Sequence, residues 1–343
     1  MDISLFDFEL PEELIAQSPK EKRDESRLLV IDKDNKTYED KIFHDIIDYL
    51  RPGDVLVRNN TKVLPARLFG IKEGTGAKVE VLLLHQIKGD VWECLCGNAR
   101  PIKLGTVISF GDGLLRAECV QIKDEGIRHF KFIYKGVFLE ILNEIGLMPL
   151  PPYIKKQCED NSRYQTVYAK ELGSAAAPTA GFHFTEELLE QIRHKGVTIL
   201  DVTLHIGLGT FKPVKEQKVE DHIMHSEHYY ITKEVAEELN KAKKEGRRII
   251  AIGTTATRTL EANMQKFGEF KEASEDTSIF IKPGYEFKAI DCLITNFHLP
   301  KSTLVMLVSA LIGREFTLEV YKHAVDSRYR FFSFGDSMFI HGK

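Results

Sequence analysis

A change of hydrophobic period along the chain limits the fold more than any other feature. From about Leu68 to Tyr134 apolar residues come in short alternating runs, "KVEVLLLHQI", "DVWECLC", "TVISFG", "LLRAECVQI" and "RHFKFIY", parted by the glycine-bearing turns "EGTG", "KGD", "GDG" and "KDEG". Period two with turns so close together predicts antiparallel strands forming a small barrel or sandwich. A helical piece, "GVFLEILNEIG", follows. The prolines of "LMPLPPYI" then make a stiff linker, because proline neither continues a helix nor pairs in a central strand.

Beyond the linker, helical and strand patterns alternate. Thr185 before Glu186 and Glu187 suits a helix start, Leu188, Leu189 and Ile192 supply an apolar stripe, and Gly196 suits the residue after the last turn. The strand "VTILDVTLHIG", helix "KEVAEELNKAKKEG", strand "RRIIAIG", helix "TRTLEANMQKFG", strands "SIFI" and "IDCLITNF" and the apolar helix of "KSTLVMLVSALIG" continue the alternation. That is the pattern of an α/β domain. "LLVIDKD" and "HDIIDYLRPGDVLVRNN" near the N-terminus read the same way. The expected architecture is a discontinuous mixed α/β (α+β) main domain, residues 1–67 and 149–343, with an inserted small all-β, barrel-like domain at 68–148.

At 343 residues and 43% hydrophobic, the chain can bury two ordinary cores. Its formal net charge of -4 exerts no global pull on polyanions, so nucleic acid has to be met by local patches. "KEKR" at 20–23 and "KAKKEGRR" at 241–248 are candidates, although such runs also serve as solvated helix faces. Five cysteines, with Cys94 and Cys96 in a C-x-C, make neither a disulfide framework nor a zinc knuckle and fit a reduced cytosol. The acidic, proline-broken start "MDISLFDFELPEELIAQSP" predicts no secretion signal. The longest apolar run, about 304–312, is roughly half of the ~20 residues a bilayer needs.

Polar residues gather at element ends. In "GTTATRTLE" a strand runs into Gly253, with Thr254 and Thr255 opening a helix and Arg258 close behind. Free backbone N–H groups and a guanidinium make a seat for a carboxylate or phosphate, unless the threonines merely cap the helix. No Gly-Lys-Ser/Thr ending is present, so a nucleoside triphosphate is not indicated. "HIGLGTF" offers Gly207 and Gly209 without the third glycine of a dinucleotide fingerprint, and a simple turn explains it equally. Asn296 and His298 end a strand in "TNFHLPKSTL", where Ser302 is placed to cap the last helix. "EDHIMHSEH" brings His222, His225 and His228 together with Glu227. Neither a helix nor a strand puts all three imidazoles on one face, which favours proton transfer or ligand hydrogen bonding over a metal. Asn59, Asn60, Lys62 and Arg67 in "VRNNTKVLPARL" are base-edge and phosphate readers or else turn formers. Arg163, Tyr164, Gln165 and Tyr168 of "SRYQTVYA" either stack exposed bases or edge the core.

Taken together, "NNTKVLPARL", "YQTVYA", "GSAAAPTAGFHFT", "LHIGLGTFKPV", "DHIMHSE", "GTTATRTLE", "TNFHLPKSTL" and "YRFFSFGDSM" resemble the S-adenosylmethionine:tRNA ribosyltransferase-isomerase family of queuosine biosynthesis. The resemblance implies transfer and isomerisation of the ribosyl group of S-adenosylmethionine onto 7-aminomethyl-7-deazaguanine at the tRNA wobble position. The products are epoxyqueuosine-tRNA, adenine and methionine. It implies no metal and no cofactor, S-adenosylmethionine being consumed. A cytoplasmic monomer whose partners are tRNA and S-adenosylmethionine is expected.

The expected pocket lies where the loops 177–185, 205–211, 222–227, 253–258 and 296–298 converge, since α/β chains bind ligands beyond strand ends. His183, His205, His225 and Glu227 are the candidates for base and acid. Ala177, Thr179, Gly181, Phe182, Phe184, Gly207, Gly209, Thr210, Thr254, Thr255, Arg258, Asn296 and His298 are expected on S-adenosylmethionine, with Arg258 on its carboxylate. Asn59, Asn60, Lys62, Arg67, Arg163, Tyr164 and Gln165 are expected on tRNA. Two other functions stay open: a metal-dependent nucleoside hydrolase built on the histidine cluster, and a non-enzymatic RNA-binding protein.

Overall fold

The computed structural model describes residues 1–151, 153–154, 160–207 and 216–342. The chain forms two compact units, one of Met1–Thr61, Pro152–Glu171 and Ala177–Lys343, the other of Lys62–Pro151 and Leu172–Ala176. In chain order come β1 (Arg27–Asp32), β2 (Thr37–Ile42), the one-turn helix α1 (Ile46–Tyr49), β3 (Val55–Asn59) and β4 (Thr61–Val63). Next are β5 (Arg67–Lys72), β6 (Lys78–Lys88), β7 (Val91–Cys96), β8 (Val107–Phe110), β9 (Leu115–Ile122), β10 (Ile127–Tyr134) and helix α2 (Phe138–Ile145). A short strand, β11 (Glu171–Ser174), pairs with β4. The remainder is α3 (Glu186–His194), β12 (Thr198–Leu204), β13 (Glu227–Ile231), α4 (Lys233–Lys244), β14 (Ile249–Ile252), α5 (Gly253–Phe267), β15 (Ala273–Thr277), β16 (Cys292–Asn296), α6 (Thr303–Ile312), α7 (Arg314–Asp326) and β17 (Ser337–His341).

The period-two segment closes on itself. Its strands form a six-stranded barrel in the order β10-β7-β6-β5-β8-β9, and none of them joins the large sheet. β7 and β8 alternate buried and half-buried positions residue by residue. Val81, Trp92, Cys94, Ile108, Phe110, Ala117, Phe130 and Phe132 point into one apolar core, which α2 extends with Ile141 and Leu142. Closure leaves no edge strand to protect.

The other unit is built on a nine-stranded sheet in the order β15-β13-β12-β3-β14-β16-β17-β1-β2. At its centre β12, β3, β14 and β16 run parallel. Every residue of β3, β14 and β16 is buried, as expected where both faces are covered. Leu188, Leu189 and Ile192 of α3 pack on Leu56, Ile250, Ile252 and Ile294 of those strands. Thr185 does cap α3, its hydroxyl accepting from Leu188 N at 3.1 Å, and Ser302 caps α6, accepting from Val305 N at 3.3 Å. From β3 the chain steps to β12 on one side and later returns to β14 on the other. The strand order therefore reverses beside β3, and a crevice at the carboxyl ends of these strands is where α/β sheets bind ligands.

The α/β unit and its barrel-like partner have the expected fold class, with local departures. The apolar "SIFI" is not a strand; the polar "ASEDT" just before it is β15, an edge strand that keeps charge toward solvent. Ile281 of that apolar run is instead buried in coil. Gly173 and Ser174 close β11. Helix α7 carries a weak amphipathic pattern, and the sequence reading, which stops at Gly313, has no expectation for it.

Candidate functional site

Gly253 links β14 to α5 with φ +85°, a backbone conformation that side chains disfavour. That turn starts α5 abruptly, with Ile252 at the N-cap and no side chain capping the first N–H groups. Thr254 and Thr255 lie inside the first turn rather than before it, so neither acts as the cap. The Thr255 hydroxyl is buried and has no hydrogen-bond partner among the described residues. One turn on, Arg258 donates through Nη1 to the Glu227 carboxylate, and the two side chains are only 9% and 3% exposed. The other Glu227 oxygen accepts from Gly207 N at 3.1 Å. Nε and Nη2 of Arg258 have no acceptor among the described residues. A buried donor left unfilled costs roughly 1–3 kcal/mol, so these two donors suit a further acceptor, a carboxylate among them.

The small-residue loop at 177–185, "APTAGFHFT", turns over the same edge of the sheet. Residues Thr179–His183 form a short 3-10 turn. What comes close to its backbone is Tyr168: a methyl at Gly181 would lie 2.1 Å from the tyrosine hydroxyl and 2.7 Å from Cγ2 of Thr166. Tyr168 in turn lies under Arg58, whose guanidinium carbon is 4.2 Å from the ring centroid and whose Nε donates to Asp201 at 2.5 Å. Ala180 faces the turn at Gly253, where an added methyl would approach it to 3.3 Å.

His183 has both ring nitrogens engaged. Asn296 donates through Nδ2 to the carbonyls of Phe332 and Ser333, at 3.0 and 3.3 Å, which leaves its Oδ1 to accept from His183 Nε2 at 2.9 Å. With its proton on Nε2 and the ring neutral, His183 accepts through Nδ1 from the Ser26 hydroxyl at 2.6 Å, in competition with the Arg23 carbonyl 3.1 Å from the same hydroxyl. Burial pushes the imidazole pKa down to about 4, so the ring is neutral. This is the contact set of a positioning residue. Phe184 is fully buried against Phe43, at 4.9 Å between centroids, and offers no face to a ligand. Phe182 stacks on Phe334 at 6.0 Å. Ala177 is buried, and Thr179 accepts from Asn296 Nδ2 at 3.4 Å.

The other histidines separate. His205, the residue after β12, is half-buried, with Nδ1 2.8 Å from Thr61 Oγ1. The Thr61 hydroxyl also lies 3.4 Å from the Glu171 carbonyl, and the tautomer with the proton on His205 Nδ1 satisfies both contacts. Burial, then the neighbouring His228, lowers the His205 pKa. His298 is buried, with Nε2 3.0 Å from Thr295 Oγ1, its backbone N donating to Tyr321 and its pKa pushed down to about 3 by burial. His222 pairs with Glu216 at 3.0 Å, His228 with Asp276 at 2.8 Å, and His225 is exposed. The three do not converge, and among the described residues no group of acidic, histidine or cysteine side chains is placed to hold a metal. Gly209, Thr210 and Phe211 lie outside the described residues.

A switch-point edge holding a half-satisfied arginine, an uncapped helix start and a locked His–Asn pair invites comparison with known proteins. The family model described as queuosine biosynthesis protein matches residues 3–340. The chain belongs to that family. A crystal structure of an S-adenosylmethionine tRNA ribosyltransferase from Thermotoga maritima is 39% identical, over 98% of this chain and 99% of that one, with a TM-score of 0.57.

Of the residues expected on RNA, several are buried. Asn59 and Asn60 are buried: the Asn59 amide bonds both N and O of Leu204 at 3.0 Å, and Asn60 Oδ1 accepts from Thr203 at 2.7 Å. They extend the β3–β12 pairing, and the Asn59 amide is spent on Leu204. Tyr164 is fully buried, edge-on to Phe182 at 5.6 Å, so it presents no stacking face. Gln165 is half-buried, and Lys62 is exposed on β4. Arg67 pairs with Glu80 at 2.6 Å. Sequence reading missed Arg58, Asp201, Ser26 and Thr61. For Arg58 a signal existed, a charge within the wholly buried "VLVRN" strand.

Proposed function

We propose that this chain is an S-adenosylmethionine:tRNA ribosyltransferase-isomerase. It moves the ribosyl skeleton of S-adenosylmethionine onto the aminomethyl group of 7-aminomethyl-7-deazaguanine at the tRNA wobble position and releases adenine and methionine. Arg258 carries the assignment: a buried guanidinium with two unfilled donors, beside uncapped N–H groups of α5, suits the methionine carboxylate. Glu227 holds Arg258 in place. The sulfonium acidifies the adjacent ribose 5′ C–H, and its removal opens the sugar. His205 takes that proton at Nε2, its Nδ1–H being fixed by Thr61 and its lowered pKa keeping it unprotonated at neutral pH. His183 acts through Asn296 and Ser26 to hold the loop over the edge. S-adenosylmethionine is consumed as a substrate, with no further cofactor. We place the enzyme in the cytoplasm as a monomer, in keeping with a tRNA substrate; among the described residues no helix is long and apolar enough to cross a membrane.

Adenine release from S-adenosylmethionine, in the presence of tRNA carrying the deazaguanine, tests the activity; none from the wild-type chain refutes it. His205→Gln should lower kcat on the order of 10²–10⁴-fold with little change in S-adenosylmethionine affinity. The acid limb of the wild-type kcat/KM profile should fall below 6.5. Wild-type kcat in that variant removes His205 from the chemistry.

A further inference from the structure

The α/β unit also carries a small open cleft lined by Lys20, Arg23, Arg163 and Arg330 together with the rings of Phe182 and Phe334. Four cations gather there in a chain of formal net charge -4. The guanidiniums are held by main-chain carbonyls: Arg23 by Phe182 and Ser162 at 3.2 and 3.3 Å, Arg163 by Glu21 at 3.1 Å and by Lys20, and Arg330 by Phe334. These bonds fix the forks without neutralising them. Asp160 and Asp336 are the carboxylates felt by Arg23 and Arg330. Both are engaged, Asp160 with Ser162 N at 2.9 Å and Asp336 with the backbone N of Arg27 and Arg330 at 2.9 and 2.7 Å. Among the described residues Arg330 Nε is buried without a partner. Burial, then repulsion from Arg163, pulls Arg23 below its ordinary pKa.

We infer that this cleft seats a phosphodiester of the RNA backbone, an inference that rests on the tRNA-modifying reading above. Fixed guanidinium forks match phosphate oxygens, and partial burial strengthens each such bond. The cavity volume of the cleft is about 20 Å³. That is under the roughly 300 Å³ at which pockets begin to enclose small molecules, so the occupant is one group on a longer chain. His183 forms a wall of the cleft and reaches Asn296 on the sheet edge at 2.9 Å. A phosphate held here therefore sits one side chain away from the strand ends where the modified nucleotide must enter.

Lys20→Glu, at an exposed position, and Arg163→Gln test the seat in the full-length chain. We expect each to weaken binding of a tRNA transcript about tenfold and to flatten the slope of log affinity against log salt by about 0.7–0.9, the change for one phosphate no longer neutralised. S-adenosylmethionine affinity, measured by calorimetry, should not change. Wild-type tRNA affinity and salt slope in both variants, alongside a wild type that binds tRNA, overturn the seat alone. A wild type with no tRNA affinity overturns the transferase reading and the seat together.

Discussion

Arg128 in the barrel unit and Arg258 in the α/β unit are buried to nearly the same depth, 9% and 7% exposed, yet they are treated in opposite ways. Arg128 gives all its nitrogens to main-chain carbonyls: Nε to Ile102 at 3.4 Å, Nη1 to Lys123 and Ile127 at 3.0 and 2.7 Å, and Nη2 to Ala99 at 3.1 Å. It ties loops to the barrel and is complete in itself. Arg258 has one carboxylate and two donors without an acceptor among the described residues. Two arginines of nearly equal burial thus differ in how fully the described residues satisfy them. The informative quantity is not how deep a charge lies but how many of its donors the protein leaves open.

The largest effect should come from Arg258→Leu. It removes the positive partner of the buried Glu227 carboxylate, which should cost about 3–5 kcal/mol in urea titrations, and calorimetry should detect no S-adenosylmethionine binding. Retained binding would dissolve the contrast with Arg128. Next comes acid. His183 and His298 are neutral in the fold, at about 4 and about 3, below the ordinary 6.5. Proton uptake therefore favours the unfolded chain, and stability present above pH 6.5 is lost as pH falls toward 4, by about 3 kcal/mol for each histidine. The one tryptophan, Trp92, lies in the barrel core, so its fluorescence follows that unit while far-UV circular dichroism follows the whole chain. The circular dichroism transition should move to lower urea more than the Trp92 transition; equal movement would place the acid lability elsewhere. The smallest effect belongs to Arg128→Leu, about 1–3 kcal/mol seen in Trp92 fluorescence, with S-adenosylmethionine affinity unchanged.

The same pair marks what a sequence can reveal. Barrel positions are decided by neighbours two residues away, so the alternation in "DVWECLC" and "TVISFG" already places Trp92, Cys94 and Ile108 inside. The buried parallel strands announce themselves as apolar runs such as "IIAI". β15 stays hidden because its strand character comes from pairing with β13 and not from its own polar residues. Within the site, Arg258 stands out by following a Gly-Thr-Thr turn, a local pattern. Its partner Glu227 is 31 residues away, and Arg58 meets Asp201 across 143. Pairings of that reach are set by strand order. For the same reason the histidine-rich "DHIMHSEH" looks like one cluster in sequence, while in space His222, His225 and His228 have three different surroundings.

The close approach beneath the small-residue loop bears on how such a chain changes over generations. Gly181 has no room for even one carbon, because Tyr168 Oη, Tyr168 Cζ and Thr166 Cγ2 lie 2.1, 2.9 and 2.7 Å from where it would go. Bulk gained at 181 has to be given up at 166 or 168, and the tyrosine ring that would disappear also supports Arg58. Substitutions at these positions should therefore be inherited as a set, with each single intermediate step selected against.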